Sequence, residues 1–276
     1  MAPPREDAGE GFYGSIANLL YRAKQSHGAP VTADSVTQDA LLGGRIRVRQ
    51  PGRGYRVNVD TVLLAAAVEA PAGARLMEAG CAVAGAAMAV AARLSDVAIL
   101  GIERDANMAA LARENVALNA MTSRIEIAAG DVFERNANWG VFDGIFFNPP
   151  FDREGDGRAP SAERRHAYIT EADIEAWIVA LADRLKGGAA MTLIHRAARL
   201  GDILSALDGR LGGVEVTPLR PRAEAAAKRV IVRARKGSRA PLRLLKGLDL
   251  HDASGGRYTP EIEAILQGET AISWGD

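Results

Sequence analysis

Val141-Phe142-Asp143-Gly144-Ile145-Phe146-Phe147-Asn148-Pro149-Pro150-Phe151 is the stretch on which the fold turns. Five of the six residues from Phe142 to Phe147 are apolar or Gly, the pattern of a strand covered on both faces. Pro149 and Pro150 have no N–H to give a ladder, so the strand must stop at Asn148. A polar amide and an aromatic ring are thereby fixed together at the carboxyl end of a central strand. In open α/β sheets that edge binds ligands.

The chemistry follows from the atoms. Asn148 offers a side-chain oxygen, and Pro149 a carbonyl with no N–H of its own. Together they can accept both hydrogens of a planar amino group and free its lone pair for an electrophile. Phe151 can stack on a flat ring, a contact worth about 1–3 kcal/mol. No strong general base is required, because the nitrogen becomes acidic once alkylated. The plain alternative is an ordinary turn with a core aromatic.

Upstream, Arg75 to Gly80 reads as a first strand, followed by the small-residue turn Gly80-Cys81-Ala82-Val83-Ala84-Gly85 and an Ala-rich helix to about Leu94. Strand, small turn, helix is the order of a Rossmann-like nucleotide site. Val97 to Ile102 is a second strand with Glu103 at its tip. An acid roughly 20 residues past such a turn suits a pair of ribose hydroxyls. Asn107 to Asn119 has helical spacing, and Ile125 to Ala128 is a third strand, followed by Gly130-Asp131-Val132. Asp60, ahead of the apolar run Val62 to Val68, reads as a helix N-cap.

Downstream, residues 152–165 form a long charged connection carrying Arg153, Arg158, Arg164 and Arg165, with His166 beside it. Thr170 to Leu185 is an amphipathic helix closed by Lys186-Gly187-Gly188. Met191 to Ile194 is a fifth strand and Leu200 to Leu211 a helix. Gly213 to Leu219 and Val230 to Arg235 form a final strand pair, and a helix spans Pro260 to Leu266. The span from Arg220 to Lys246 holds ten Lys or Arg and one acid, which suits phosphate contacts or a charge-protected edge strand.

A hydrophobic strand running into Asn-Pro-Pro-Phe resembles motif IV of the class I S-adenosylmethionine (SAM) methyltransferases that modify exocyclic or amide nitrogens. From about Thr37 onward the chain is similar to the bacterial tRNA(Val) adenine N6-methyltransferase family. The resemblance implies an α/β, Rossmann-like fold: a mostly parallel seven-stranded sheet, helices on both faces and an antiparallel closing hairpin. It implies S-adenosyl-L-methionine as cofactor and tRNA as partner. Asp60, Glu78, Gly80, Ala82, Glu103, Asp131, Val132 and Asn148 would lie on the donor, with Asp131 on its adenine amine and Val132 against the ring. Asn148, Pro149 and Phe151 would hold the acceptor. The family pattern after the acid is Gly-x-Gly-x-Gly; here Ala82 and Ala84 replace the second and third glycines, and Gly85 offers a way to shift the turn. A glutamine amide, another base, or a binding protein with a degenerate SAM site are the rival readings. A small-molecule or O-methyltransferase is a further one.

Composition sets the limits. The 276 residues carry 34 basic and 34 acidic side chains, so any nucleic-acid face must be local. Cys81 is the single cysteine and fits a reducing cytosol. No His/Cys cluster has metal-ligand spacing, and no signal peptide or membrane-length apolar run is expected, which suggests a cytoplasmic enzyme. Residues 1–36 read as a mobile extension and 37–276 as the methyltransferase domain.

Overall fold

The computed structural model describes residues 36–53, 56–134, 137–150 and 173–275. The proposed extension over residues 1–36 falls outside these, Val36 excepted. Strands β1 (Val36–Leu41) and β2 (Ile46–Pro51) form an antiparallel hairpin. Ile46, Val48 and Gln50 face inward while Arg47 and Arg49 face out, as the alternation requires. Helix α1 (Val59–Ala67) and strand β3 (Ala74–Ala79) follow. Then come helix α2 (Gly85–Arg93), strand β4 (Val97–Glu103), helix α3 (Ala106–Leu118) and strand β5 (Ile125–Ala129). The second half contains β6 (Phe142–Phe147), α4 (Ile174–Ala182), β7 (Leu185–Arg196), α5 (Leu200–Leu207), β8 (Leu211–Arg220) and β9 (Arg229–Lys236). Two-residue strands β10 (Arg243–Leu244) and β11 (Leu248–Asp249) and helix α6 (Pro260–Leu266) complete it.

The seven long strands lie in the order β5-β4-β3-β6-β7-β9-β8, with β10 and β11 added at the β8 edge. The pairs from β5 through to β7 are parallel, and β9 runs antiparallel to both neighbours. The expected sheet and closing hairpin are therefore present. The helices split between the two faces. Residues of α1, α2, α3 and α6 share one core with Leu76 and Phe146, and residues of α4 and α5 share the other with Met77, Ile145 and Phe147. Every side chain of β6 from Ile145 to Phe147 is thus buried, which explains its unbroken apolar run.

Three local readings need correction. Asp60 does not cap α1. Asn58 is the N-cap, its side chain accepting from the Thr61 N–H at 3.2 Å, with Thr61 returning a contact to the cap backbone. That is a capping box, and Asp60 is the second residue of the helix, two past the cap. Lys186-Gly187-Gly188 does not close a helix: α4 ends at Ala182, and these residues open β7, whose pairing with β6 is irregular between Phe142 and Gly144. The helix start sits at Asp173, which accepts from the Glu175 N–H; Thr170 lies outside the described residues.

Two devices hold elements the periodicity did not connect. On α3, Asn115 and Asn119 sit one turn apart and bond the backbone of β2 like a short extra strand. Asn115 accepts from Arg49 N–H at 2.7 Å and donates to Arg49 C=O at 2.8 Å, and Asn119 treats Arg47 likewise. At the C-terminus of α1 the exposed carbonyls are taken up from elsewhere. Ile272 N–H reaches Ala66 O at 3.0 Å, Trp274 Nε1 reaches Ala67 O at 2.8 Å, and Arg93 reaches Ala65 O at 2.9 Å. Trp274 is buried, with the Arg233 guanidinium 4.2 Å above its ring. Trp274→Ala removes a buried ring and orphans a helix carbonyl. Its expected cost is about 3–5 kcal/mol in denaturant unfolding, and a loss below about 1 kcal/mol would contradict this role for the tail.

Candidate active site

The strand order reverses between β3 and β6, and that is where the site residues collect. Ala79 pairs with Phe147 across the two strands, so Gly80 and Asn148 leave the sheet side by side. Gly80 turns with φ +68°, and its N–H bonds Ile102 O at 2.9 Å. The turn keeps its glycine-type shape without the expected glycines: Ala82 has φ 48° and Ala84 φ 63°. Each left-handed alanine costs about 1–2 kcal/mol. Both methyls are buried, recovering roughly 0.8 kcal/mol each. Gly85 does not shift the turn. It is the first residue of α2, where a Cβ would stand 2.7 Å from Val57 Cγ2, so Gly85 serves close packing.

Two carboxyl groups stitch the turn. Glu103 at the tip of β4 accepts from Ala82 N–H at 2.8 Å and from Asp105 N–H at 2.9 Å. Glu78, near the end of β3, lies behind the turn and accepts from Ala87 N–H at 2.8 Å in the first turn of α2. Glu78 thus supports the turn, whereas Glu103 stands half-buried at the sheet edge. Asp131 accepts from Phe133 N–H at 2.9 Å, shaping its own turn, and Val132 is buried beneath it.

Asn148 carries the most informative atom. Its Oδ1 is buried and has no hydrogen-bond partner. A buried amide oxygen without a donor costs about 1–3 kcal/mol, and a bound N–H could relieve that cost. Pro149 is buried next to it. Phe151 lies outside the described residues, as do Arg153, Arg158, Arg164, Arg165 and His166. Sequence reasoning missed Trp177 on α4. Read only as one of the apolar positions of that helix, it in fact stacks on Phe147 at 5.6 Å and meets Phe133 edge-on at 5.3 Å.

Asp60 stands at the same edge, but it faces a cation. Arg229, the first residue of β9, holds it at 3.1 Å. Burial pushes the Asp60 carboxyl up and Arg229 opposes that. Burial raises the Tyr258 phenol, and Asp60 adds to the effect. The basic span is likewise partly consumed inside the protein. Arg220 pairs with Asp249 at 2.5 Å, Arg233 with Glu215 at 2.6 Å and Arg243 with Glu215 at 3.1 Å, while Lys236 donates to Ala182 O at 3.0 Å. With Arg229 that is half of the ten. Arg222, Lys228, Arg239 and Lys246 point to solvent.

Among the described residues no His/Cys/Asp/Glu group could hold a metal ion, and no helix is long and apolar enough to cross a membrane. A sheet of this order, with a small-residue turn after β3, an acid at the tip of β4 and an amide after β6, defines a class I methyltransferase. Residues 54–174 match the family described as "Methyltransferase small domain". A protein from Porphyromonas gingivalis strain ATCC 33277, named tRNA1(Val) (adenine(37)-N6)-methyltransferase, is 31% identical over 235 residues. The match spans 81% of this chain and 91% of that protein. The chain belongs to that methyltransferase family. A crystal structure described as a predicted O-methyltransferase from Agrobacterium tumefaciens is 30% identical with a TM-score of 0.66, covering 77% of this chain and 98% of that one. A Thermus thermophilus 16S rRNA N2 G1207 methyltransferase, solved with AdoMet and guanosine, is 18% identical with a TM-score of 0.53. It covers 77% of this chain and 53% of that chain, and shares the fold.

Burial drives the Glu78 carboxyl up from its ordinary 4.5 to about 8; the Ala87 N–H opposes this and Glu103 adds to it. Between those values the folded chain keeps a proton that the unfolded chain releases. Stability from this group is therefore full below pH 4.5 and falls as pH rises toward 8. His195 works oppositely: burial, then the charges of Arg199, Arg196 and Arg229, lower it from 6.5 to about 4, so its contribution is lost as pH falls through that range. Glu78→Gln leaves His195 unchanged and removes only the first slope. The variant should gain on the parent between pH 5 and pH 8 in urea unfolding; parallel curves would show that Glu78 does not titrate there.

Proposed function

We propose that this methyltransferase moves a methyl group from SAM to an exocyclic amino nitrogen, adenine N6 in a tRNA. The observation that carries the reading is the buried Asn148 Oδ1 with no donor of its own. An amino group supplies what that oxygen lacks, and a hydroxyl acceptor would not need a second carbonyl beside it. The relative named for adenine N6 of tRNA1(Val) supports the choice of base and RNA. The neighbour described as an O-methyltransferase supports the opposite chemistry, and Asn148 is the residue that separates them.

The donor fits the chain's own residues. The turn after β3 holds its left-handed conformation at Gly80, Ala82 and Ala84, which speaks against a site lost through the alanine replacements. Glu103 keeps its carboxylate beside that turn, bound to Ala82 N–H, where ribose hydroxyls can donate to remaining lone pairs. Asp131 and Val132 are the residues for the adenine. When bound, SAM supplies an electrophilic methyl on a sulfonium. Asn148 Oδ1 and the Pro149 carbonyl accept the two amine hydrogens, so the nitrogen lone pair is withdrawn from the ring and aimed at that methyl. Transfer of that methyl would release the donor as a neutral thioether, while Asn148 Oδ1 and the Pro149 carbonyl would keep hold of the amine hydrogens until the extra proton leaves to water. Phe151 is assigned to stack on the base. Most of the rate then comes from orientation, which these groups provide without a strong base.

The test is a labelled-methyl assay with purified tRNA, protein extract and a catechol-type hydroxyl substrate in parallel. Label in tRNA at adenine N6 is expected. Label only in protein would move the acceptor to a glutamine amide, and label only in the hydroxyl compound would overturn the reading. Asn148→Ala should lower kcat by roughly 10²–10³-fold with the fold intact, the scale for one positioned polar group.

A further inference from the structure

We propose that Trp177 is a positioning residue that sets the separation between the donor turn and the amide clamp; this rests on the amino-methyltransferase reading above. Its indole meets the ends of β3 and β6 and the turn after β5 at once. A Cβ built on Gly80 would stand 2.9 Å from the far edge of the benzo ring, so the ring lies directly against the start of the donor turn. The same ring stacks on Phe147, the residue before Asn148, with planes 10° apart and centroids at 5.6 Å. Its third side meets Phe133, two residues past Asp131, edge to face. A rigid plate wedged between Gly80 and Phe147 fixes where the methyl and the amine can meet.

A second observation argues against plain core filling. Trp177 is 7% exposed, and its Nε1 is buried with no acceptor. A phenylalanine would fill much of this layer without stranding a donor, and stranded donors destabilise. What phenylalanine cannot do is reach Gly80, because the contacting atoms belong to the second ring. The geometry therefore assigns the size of the indole to the Gly80 contact. It also explains the glycine: Gly80 has both φ +68° and no room for a methyl. Misplacement of reacting groups by about 1 Å can cost about 10²-fold in rate.

The test uses Trp177→Phe, with Asn148→Ala in the same assay as the control. Trp177→Phe should lower kcat at least about tenfold, while the Kd for S-adenosylhomocysteine by calorimetry, the KM for RNA and the Tm stay close to parent values. A parent-like kcat would overturn the proposal. So would a loss of kcat matched by a fall in Tm of more than about 8 °C, since that marks general destabilisation. Gly80→Ala supplies an independent arm. Its added methyl pushes on the indole, so Trp177→Phe in the Gly80→Ala background should restore part of the lost S-adenosylhomocysteine affinity. No restoration would show that the two residues are uncoupled. If Asn148→Ala also keeps parent activity, the amino-methyltransferase reading fails; if only Trp177→Phe does, the positioning role alone fails.

Discussion

The parallel pairing of β3 with β6, Ala79 against Phe147, is the constraint on which the site depends. It puts the turn after β3 and the Asn148 amide at neighbouring strand ends on either side of the point where the sheet order reverses. Both faces of β6 enforce it. Phe146 lies in one core and Ile145 and Phe147 in the other, so a slip of one residue would exchange the two sets. The amino end of β6 is pinned as well. Asp143 accepts from Arg75 N–H on β3 at 3.0 Å and from Lys186 Nζ on β7 at 2.8 Å, which fixes β6 against both neighbours.

Around that fixed pair, the chain uses polar groups at the sheet edge as struts and leaves one of them open. Glu78, Glu103 and Asp131 each accept from nearby backbone N–H groups, and Asp60 is held by Arg229. Of these, Glu103 and Glu78 hold the one turn that contains left-handed alanines, Ala82 and Ala84, in place of glycines. The orphaned Oδ1 of Asn148 stands apart from them. In the proposed reaction this is the oxygen that accepts from the incoming amino group.

The main strands were legible because apolar runs and prolines are local signals, whereas their order in the sheet depends on long-range pairing and was implied only by the family resemblance. The Phe142 to Asn148 strand, the Glu103 tip and the closing strand pair all fell where the residues placed them. Capping at α1 was misread because both Asn58 and Asp60 are good cap types, and the Thr61 partner that decides between them is visible only as geometry. The glycines at 187 and 188 looked like a helix stop, yet an irregular strand start has the same composition. The basic span overstated its surface charge, since the acids that neutralise it come from distant positions such as Glu69 and Asp60. Trp177 could not be singled out from spacing, because a core position and a wall of the site share one helical face.

The most direct measurement is a crystal structure with S-adenosylhomocysteine and a short RNA carrying the acceptor adenine. The exocyclic nitrogen is expected within about 2.7–3.2 Å of both Asn148 Oδ1 and the Pro149 carbonyl, facing the sulfur across Gly80. A bound base whose amine points away from Asn148, with Oδ1 still lacking a donor, would contradict it.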